Sequence, residues 1–477
     1  MSEYIPTIGL EIHAELKTKT KMFCSSKNDP EEKKPNVNIC PVCTSHPGTL
    51  PVINKEAVKQ VLRVGTALGG QLADFSEFDR KNYFYPDIPK GYQISQYKYP
   101  LVSGGMLNGV EITRVHLEED TAKSFHFDGR QDTFLDFNRA GLPLMELVTE
   151  PVIKDSKQAA DFARELQLLL RYLDASEANM EKGQMRVEAN ISVSKEPKKF
   201  GTKVEVKNLN SFRSVARAIE YEIKRQIDVL NGGGQIIQET RGFDENTGKT
   251  FSQRLKESSQ DYRYFPEPDL PKLKLSLVSE FKNIKETLPE LPWNKRKRLL
   301  GDYKLRNEAI ELFVIDLKLS SFFEAVVKNN LNDKEFVSLA ANYITSDLMS
   351  LLKAKSGELE LGHEKIDIIP EDFSTLIAMA KKGDISSRGA KDILALMFKE
   401  GGGPQEIAKE KGWLQKSNVA ELERMAVSII EENQKVATEF KTGKEASLQF
   451  LVGQAMKKSK GSANPKIVAD IFKELLK

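Results

Sequence analysis

The sequence is poor in cysteine, with three thiols in 477 residues. Three thiols cannot build a disulfide framework, and an odd number points to a reducing compartment. Also missing is any run of about 18 apolar residues, and the N-terminus has no apolar leader core, so neither a membrane span nor a signal peptide is expected. Nor does one sign of charge dominate. Lysine and arginine number 71 against 69 acids, a formal net charge of +2, so no global field demands a nucleic-acid partner, although local basic surfaces can still form. A Walker-type phosphate loop is absent too. The stretch Gly242-Phe243-Asp244-Glu245-Asn246-Thr247-Gly248-Lys249-Thr250 has one residue too many between its glycines. It also leads into alternating residues rather than a helix, so Asn246 to Lys249 reads as a hairpin turn. These exclusions leave a soluble cytoplasmic protein of two to four domains.

What is present begins at Ile8. From there to Leu16 the chain alternates, with Leu10, Ile12, Ala14 and Leu16 on one side of an extended strand and Glu11, His13 and Glu15 on the other. Neighbouring polar side chains stand about 7 Å apart, the rise of two strand residues. Such a face is either a wetted sheet surface or a metal site of oxygen ligands with one nitrogen. The pattern returns at Val110 to Ile112 and Val115 to Asp120, where the apolar phase flips near Arg114 and predicts a bulge. Glu118, Glu119 and Asp120 repel one another unless a cation lies nearby. Leu144 to Glu150 ends similarly, just before Pro151. Two further strands alternate cleanly: Arg186 to Val193 turns Arg186, Glu188, Asn190 and Ser192 outward, and Lys203 to Lys207 turns Lys203, Glu205 and Lys207 outward. Asn208, Asn210 and Ser211 then cap a helix that Gly232 to Gly234 stops. Carboxylates gathered on one sheet need a divalent cation, and the lysines and arginines beside them suit a polyphosphate. Glutamate-rich, sulphur-poor ligands favour magnesium over zinc. An ATP-magnesium site on an antiparallel sheet is the expectation.

Cys24 and the pair Cys40-Pro41-Val42-Cys43 offer three zinc ligands, with His46 a reachable fourth; three reduced, metal-free thiols fit the same spacing. Phe78 to Asp87 mixes charges and aromatics. It reads as a rigid loop, or as a platform turning Lys81 or Arg80 toward a phosphate or a ring toward a nucleobase. A helix is expected from about Ser156 to Tyr172. Leu288 to Pro292 reads as a linker, helical periodicity starts at Trp293, and Gly401 to Pro404 marks a second break. From Lys441 onward, eight lysines against three acids give +5, a solubilising tail or one suited to an RNA backbone.

In register from the N-terminus to about residue 270, and more weakly beyond, these segments resemble the family of B subunits of the tRNA-dependent amidotransferases (GatB). The resemblance rests on Gly9 to His13, Cys40 to Pro51, Phe78 to Asp87, Glu118 to Lys123, Asn138 to Pro151, Arg186 to Ser192, Lys203 to Phe212 and Asp261 to Pro268. It implies an α+β chain: a cradle domain on an antiparallel sheet with flanking helices (1–292), an all-α middle domain (293–404) and an all-α YqeY-like, tRNA-binding tail (405–477). It also implies an amidase A subunit (GatA) and a small C subunit (GatC) as partners, with misacylated tRNA(Asn) or tRNA(Gln) as substrate. The implied reaction is ATP-dependent phosphorylation of the side-chain carboxylate of Asp or Glu, followed by displacement of phosphate by ammonia. On this likeness Glu11, His13, Glu119, Glu150 and Glu188 are the expected magnesium cage, and Lys81, Lys203, Lys207 and Asn208 the expected ATP contacts. Zinc-bearing relatives show C-x-C before C-x-x-C; here Ser26 stands at the second cysteine, and His46 is the expected substitute. Competing readings are a non-catalytic tRNA-binding scaffold and a free-standing ATP-dependent carboxylate-amine ligase. The archaeal relative GatE carries an inserted domain for which this chain has no room.

Overall fold

The computed structural model describes residues 4–127, 129, 131–197, 199–255, 262–356, 366–415, 419–459 and 463–477. Asp261 of the last motif and Lys460 of the basic tail lie outside the described residues. The chain forms two compact units, Met1–Pro292 and Trp293–Lys477.

The first unit is built on a ten-stranded sheet with the strand Ile5–Glu15 near its middle. That strand pairs antiparallel with Pro143–Thr149 on one side and Met185–Ser194 on the other. Outward from Pro143–Thr149 come Val110–Glu119, Val102–Ser103 and Gln71–Leu72; outward from Met185–Ser194 come Val204–Leu209, Glu239–Asp244 and Lys249–Leu255. One pairing, Val204–Leu209 with Glu239–Asp244, is parallel. The alternation read from the sequence fixes which face is dry. Ile8, Leu10, Ile12 and Ala14 are fully buried, as are Val187, Ala189 and Ile191 beside them and Met145 and Leu147 on the other flank. Helices Lys55–Ala67, Ser156–Tyr172 and Phe212–Asn231 are capped by the side chains of Asn54, Asp155 and Ser211, which accept from first-turn amides. The last helix lies close enough to the dry face for Gln226 to donate to the Ile191 carbonyl at 3.1 Å. Covering one face with helices leaves the other free to carry charge.

The bulge expected near Arg114 is present: the register with Pro143–Thr149 slips between Val148 and Thr149, opposite Arg114 and Ile112. The false phosphate loop is a hairpin turn, as read. Gly248 sits at φ +67°, and Asp244 Oδ1 accepts from the Asn246 amide at 2.9 Å.

The second unit is helical from Pro292–Gly301 to Pro465–Leu475 among the described residues, with a π-helical turn at Tyr343–Leu348. Its last helices enclose a core of Leu422, Ile429, Leu451, Val468 and Phe472. Asn464 caps the final helix and also donates to the Gly383 carbonyl at 3.2 Å. No helix among the described residues is long and apolar enough to cross a membrane.

Gly201 leads into Val204–Leu209 through a tight approach: a Cβ there would stand 2.2 Å from the Val193 carbonyl oxygen. Backbone cannot yield as a side-chain tip can, so Gly201→Ala is expected to destabilise the first unit by about 1–3 kcal/mol. Thermal unfolding checks this; unchanged stability would mean the approach is looser than described.

Candidate active site

On the polar face of the central strand, register alone sets the neighbours. Glu11 faces Glu188 on one side and Val148 on the other; His13 faces Arg186 and Glu146; Glu146 in turn faces His116. Two clusters result. His13, Glu118 and Glu146 bring one ligand atom each within 4.8 Å of one another, and so do Glu11, Glu188 and Glu205. In the first, His13 Nε2 lies 3.4 Å from Glu146 and 3.6 Å from Glu118, and His116 Nε2 lies 3.1 Å from Glu146. In the second, Lys207 pairs with Glu188 at 2.8 Å and Glu205 at 4.0 Å, Asn190 donates to Glu11 at 2.8 Å, and Thr240 donates to Glu205 at 2.7 Å.

Crowding of this kind shows in the proton affinities. Burial would lower the His13 imidazole, but hydrogen bonding and attraction from Glu146, with Glu118 and Glu188, raise it to about 9. Burial would raise Glu146; His116 and His13 hold it well below the usual carboxylate range. Lys81 is likewise opposed by burial, yet Glu118, the nearby tyrosines and Glu146 keep it firmly protonated. Its ammonium lies 5.2 Å from the ring centre of Tyr262 and 5.9 Å from that of Tyr83. Tyr264 stacks on Tyr97 at 4.4 Å and completes an aromatic wall. For Lys207, Glu188 and Glu205 likewise overcome burial and raise its affinity for the proton.

Of the expected cage, the structure places Glu11 and Glu188 in one cluster and His13 in the other, and leaves Glu119 and Glu150 outside both. Glu119 follows the buried Leu117 by two residues and so shares its face, turned away from His13. There it accepts from the Ile94 amide at 2.9 Å and pairs with Lys90 at 2.7 Å. Glu150 lies beyond the strand end and accepts from Thr113 at 2.7 Å, joining neither cluster. Glu118, Glu146 and Glu205 stand in their place. Strict alternation could have found them: Glu146 lies between the buried Met145 and Leu147, and Glu118 directly follows the buried Leu117. Of the expected phosphate contacts, Lys81 and Lys207 reach the acidic face. Lys203 is exposed, and Asn208 is exposed at φ +60°, where the register of Val204–Leu209 slips. Arg80 grips the buried Glu267 with two contacts of 2.8 Å, a pairing that closes Asp79–Asn82 against Phe265–Pro266.

The three cysteines converge, with one sulphur from each within 4.8 Å of the others. A hydrogen bond from the Cys24 thiol, aided by Lys21, outweighs burial and lowers Cys43 to about 4; the same bond, with burial, raises Cys24. Lys21 is fully buried, 3.7 Å from Cys43. The Ser26 hydroxyl lies 3.9 Å from Cys43, whereas His46 is exposed and outside the triad. Three sulphurs of this character could hold a metal ion such as zinc.

Known proteins are similar to this chain along its whole length. Residues 6–279 match the GatB/GatE catalytic domain and residues 321–476 the GatB domain. The chain is 42% identical over 485 residues to a Persephonella marina protein named as the B subunit of aspartyl/glutamyl-tRNA(Asn/Gln) amidotransferase, with 100% of each chain covered. Its identity to the protein of that name from Carboxydothermus hydrogenoformans is 41%, covering 100% of this chain and 99% of the relative. For the one from Thermodesulfovibrio yellowstonii it is 42%, with both chains fully covered.

Since a metal ligand must be a neutral imidazole, an ion bound at His13 displaces its proton below pH about 9. Titrating magnesium at pH 7.5 in buffers of different ionisation enthalpy should report release of about one proton for the ion that binds at His13. Heats independent of the buffer would remove His13 from the ligand set. In the metal-free protein the same protonation stabilises the fold fully below pH about 6.5. That stabilisation is lost as pH rises through about 9.

Proposed function

The chain belongs to the GatB/GatE family of amidotransferase B subunits, and from that premise we propose that its acidic sheet face activates a carboxylate for amidation. It is the B subunit of a tRNA-dependent amidotransferase, a ligase that makes Asn-tRNA(Asn) and Gln-tRNA(Gln). A side-chain carboxylate is a poor electrophile. Phosphorylating it with ATP, the nucleotide the family uses, gives an acyl phosphate whose phosphate ammonia then displaces. Such a transfer asks the protein chiefly for positioning and charge neutralisation.

Support for this reading comes from one observation: two carboxylate clusters on adjacent strands, each flanked by a lysine that its neighbours keep charged. His13, Glu118 and Glu146 would hold one magnesium ion and Glu11, Glu188 and Glu205 a second, supplying positive charge opposite transferring phosphoryl oxygens. The chain's own groups do the rest. Lys81 and Lys207 offset charge developing on phosphate oxygens, and the tyrosine wall beside Lys81 keeps water from an activated ester. The cysteine triad would hold a structural zinc through Cys24, Cys40 and Cys43. Other subunits complete the enzyme, which we read as an amidase releasing ammonia from glutamine and a small C subunit. Residues 293–404 and 405–477 we read as the middle and tRNA-binding tail parts, the lysines of the tail meeting the RNA backbone.

The test is reconstitution with partner subunits, following glutamine-driven amidation of Asp-tRNA(Asn) and Glu-tRNA(Gln). Glu118→Gln and Glu188→Gln are expected to lower turnover by on the order of 100-fold or more, with tRNA affinity retained. A scaffold would keep full turnover in both variants, and a free-standing ligase would hydrolyse ATP without stimulation by either tRNA.

A further inference from the structure

The polar face does not end at the two clusters. Directly across from His13 stands Arg186, and two residues beyond His13 stands Glu15. Both belong to a second, differently built group. Asp120 is buried and receives two guanidinium groups, one on each oxygen: Arg139 Nε at 2.6 Å on Oδ2 and Arg186 Nη2 at 3.2 Å on Oδ1. Arg139 Nε also lies 3.1 Å from Glu15. Asp120 therefore acts as a wedge that fixes two planar cations beside the His13 cluster.

Among the described residues, neither guanidinium has a recorded partner for every donor. Each carries five N–H donors. Among the described residues the contacts of Arg186 use one terminal nitrogen and those of Arg139 use Nε. Arg139 Nη2 is buried with no hydrogen-bond partner. Leaving a buried guanidinium edge unmatched is costly, and such a group calls for an explanation beyond folding. Arg186 keeps about a quarter of its side chain exposed, with 26% accessibility, so a ligand can reach it from the acidic face.

We infer that Arg186, supported by Arg139, is the subsite that grips the side-chain carboxylate of the esterified amino acid, the group the amidation consumes. The assignment rests on the proposed function. Shape and charge favour a carboxylate over a phosphate here. A planar fork matches two coplanar oxygens, whereas the point charges of Lys81 and Lys207 suit tetrahedral phosphate. The same chemistry lets the product go. An amide has lost the anionic oxygens, so the charge-assisted bonds weaken once amidation is complete. Arg186 is thereby a specificity residue, favouring the acid-bearing tRNA ester over the amide-bearing one.

Steady-state kinetics of the assembled enzyme test this, varying Asp-tRNA(Asn) or Glu-tRNA(Gln) at saturating ATP and then ATP at saturating aminoacyl-tRNA. Arg186→Lys keeps the charge and loses the fork. It is expected to raise KM for the misacylated tRNA by about tenfold or more, with KM for ATP and the affinity for deacylated tRNA unchanged. It should also narrow the gap between inhibition by Asn-tRNA(Asn) product and binding of the substrate. A rise in KM for ATP instead would make this a phosphate site and overturn the assignment. A fall in kcat with both KM values unaltered would reduce Arg186 to a support for Asp120 and overturn it equally. Arg139→Lys is read by the same measurements and carries the test if Arg186→Lys does not assemble. Wild-type enzyme that amidates neither tRNA defeats the proposed function; active wild type with unaltered variants defeats only this subsite.

Discussion

Carboxylates held within a few ångströms of one another on a solid support are the constraint from which the rest of the first unit follows. Glu11 directly opposite Glu188, and Glu118 within reach of Glu146, repel across a sheet that cannot spread apart. The repulsion is borne because the backbone is fixed by pairing on both sides and by a dry face under helices. It is offset locally by His13, His116, Lys81 and Lys207. Such an arrangement raises the affinity for a cation by the same free energy it withholds from the fold.

The surrounding structure divides cations by shape and position. Arg80 turns inward to the buried Glu267, and its guanidinium lies 4.3 Å from the Tyr92 ring centre, closing the strands under the aromatic wall. Lys81, the next residue, goes to the opposite side and meets the acids. Asp120 engages two more arginines, which hold it down to about 2 against the effect of burial. Alternation along short strands thus separates neighbours in sequence into a structural role and a chemical one.

The sheet, its wet face and the helix that follows Pro151 were legible because each rests on short-range periodicity. Ser156–Tyr172 came out with the expected bounds, and the bulge near Arg114 lies where the apolar phase breaks. The choice among adjacent acids was not legible in the same way. Glu118 and Glu119 differ by one residue, and a slip of one exchanges the faces of a strand. Past the bulge, the phase set by Leu117 puts Glu118 on the His13 side and Glu119 on the other. Glu150 stands apart for another reason: it offers a carboxylate but comes after Thr149, where pairing with the central strand has ended. For the cysteine cluster, spacing in the chain suggested His46, yet the turn that bonds the His46 amide to the Pro41 carbonyl leaves its side chain exposed.

By itself the sequence determined the strands that carry the acidic face, which side of each is dry, and which residue types a phosphoryl-transfer site would draw upon; it did not show that Asp79–Asn82, read as a loop or platform, is itself a strand. Those properties depend on neighbours two to four positions away, and the chain states them directly. Only the tertiary structure decided which carboxylates share a cluster. It alone set Lys21 against Cys43 and drew Arg139 and Arg186 onto one aspartate. Each of those meetings joins residues from separate segments, and the hydrogen-bond register that brings them side by side is fixed by long-range pairing.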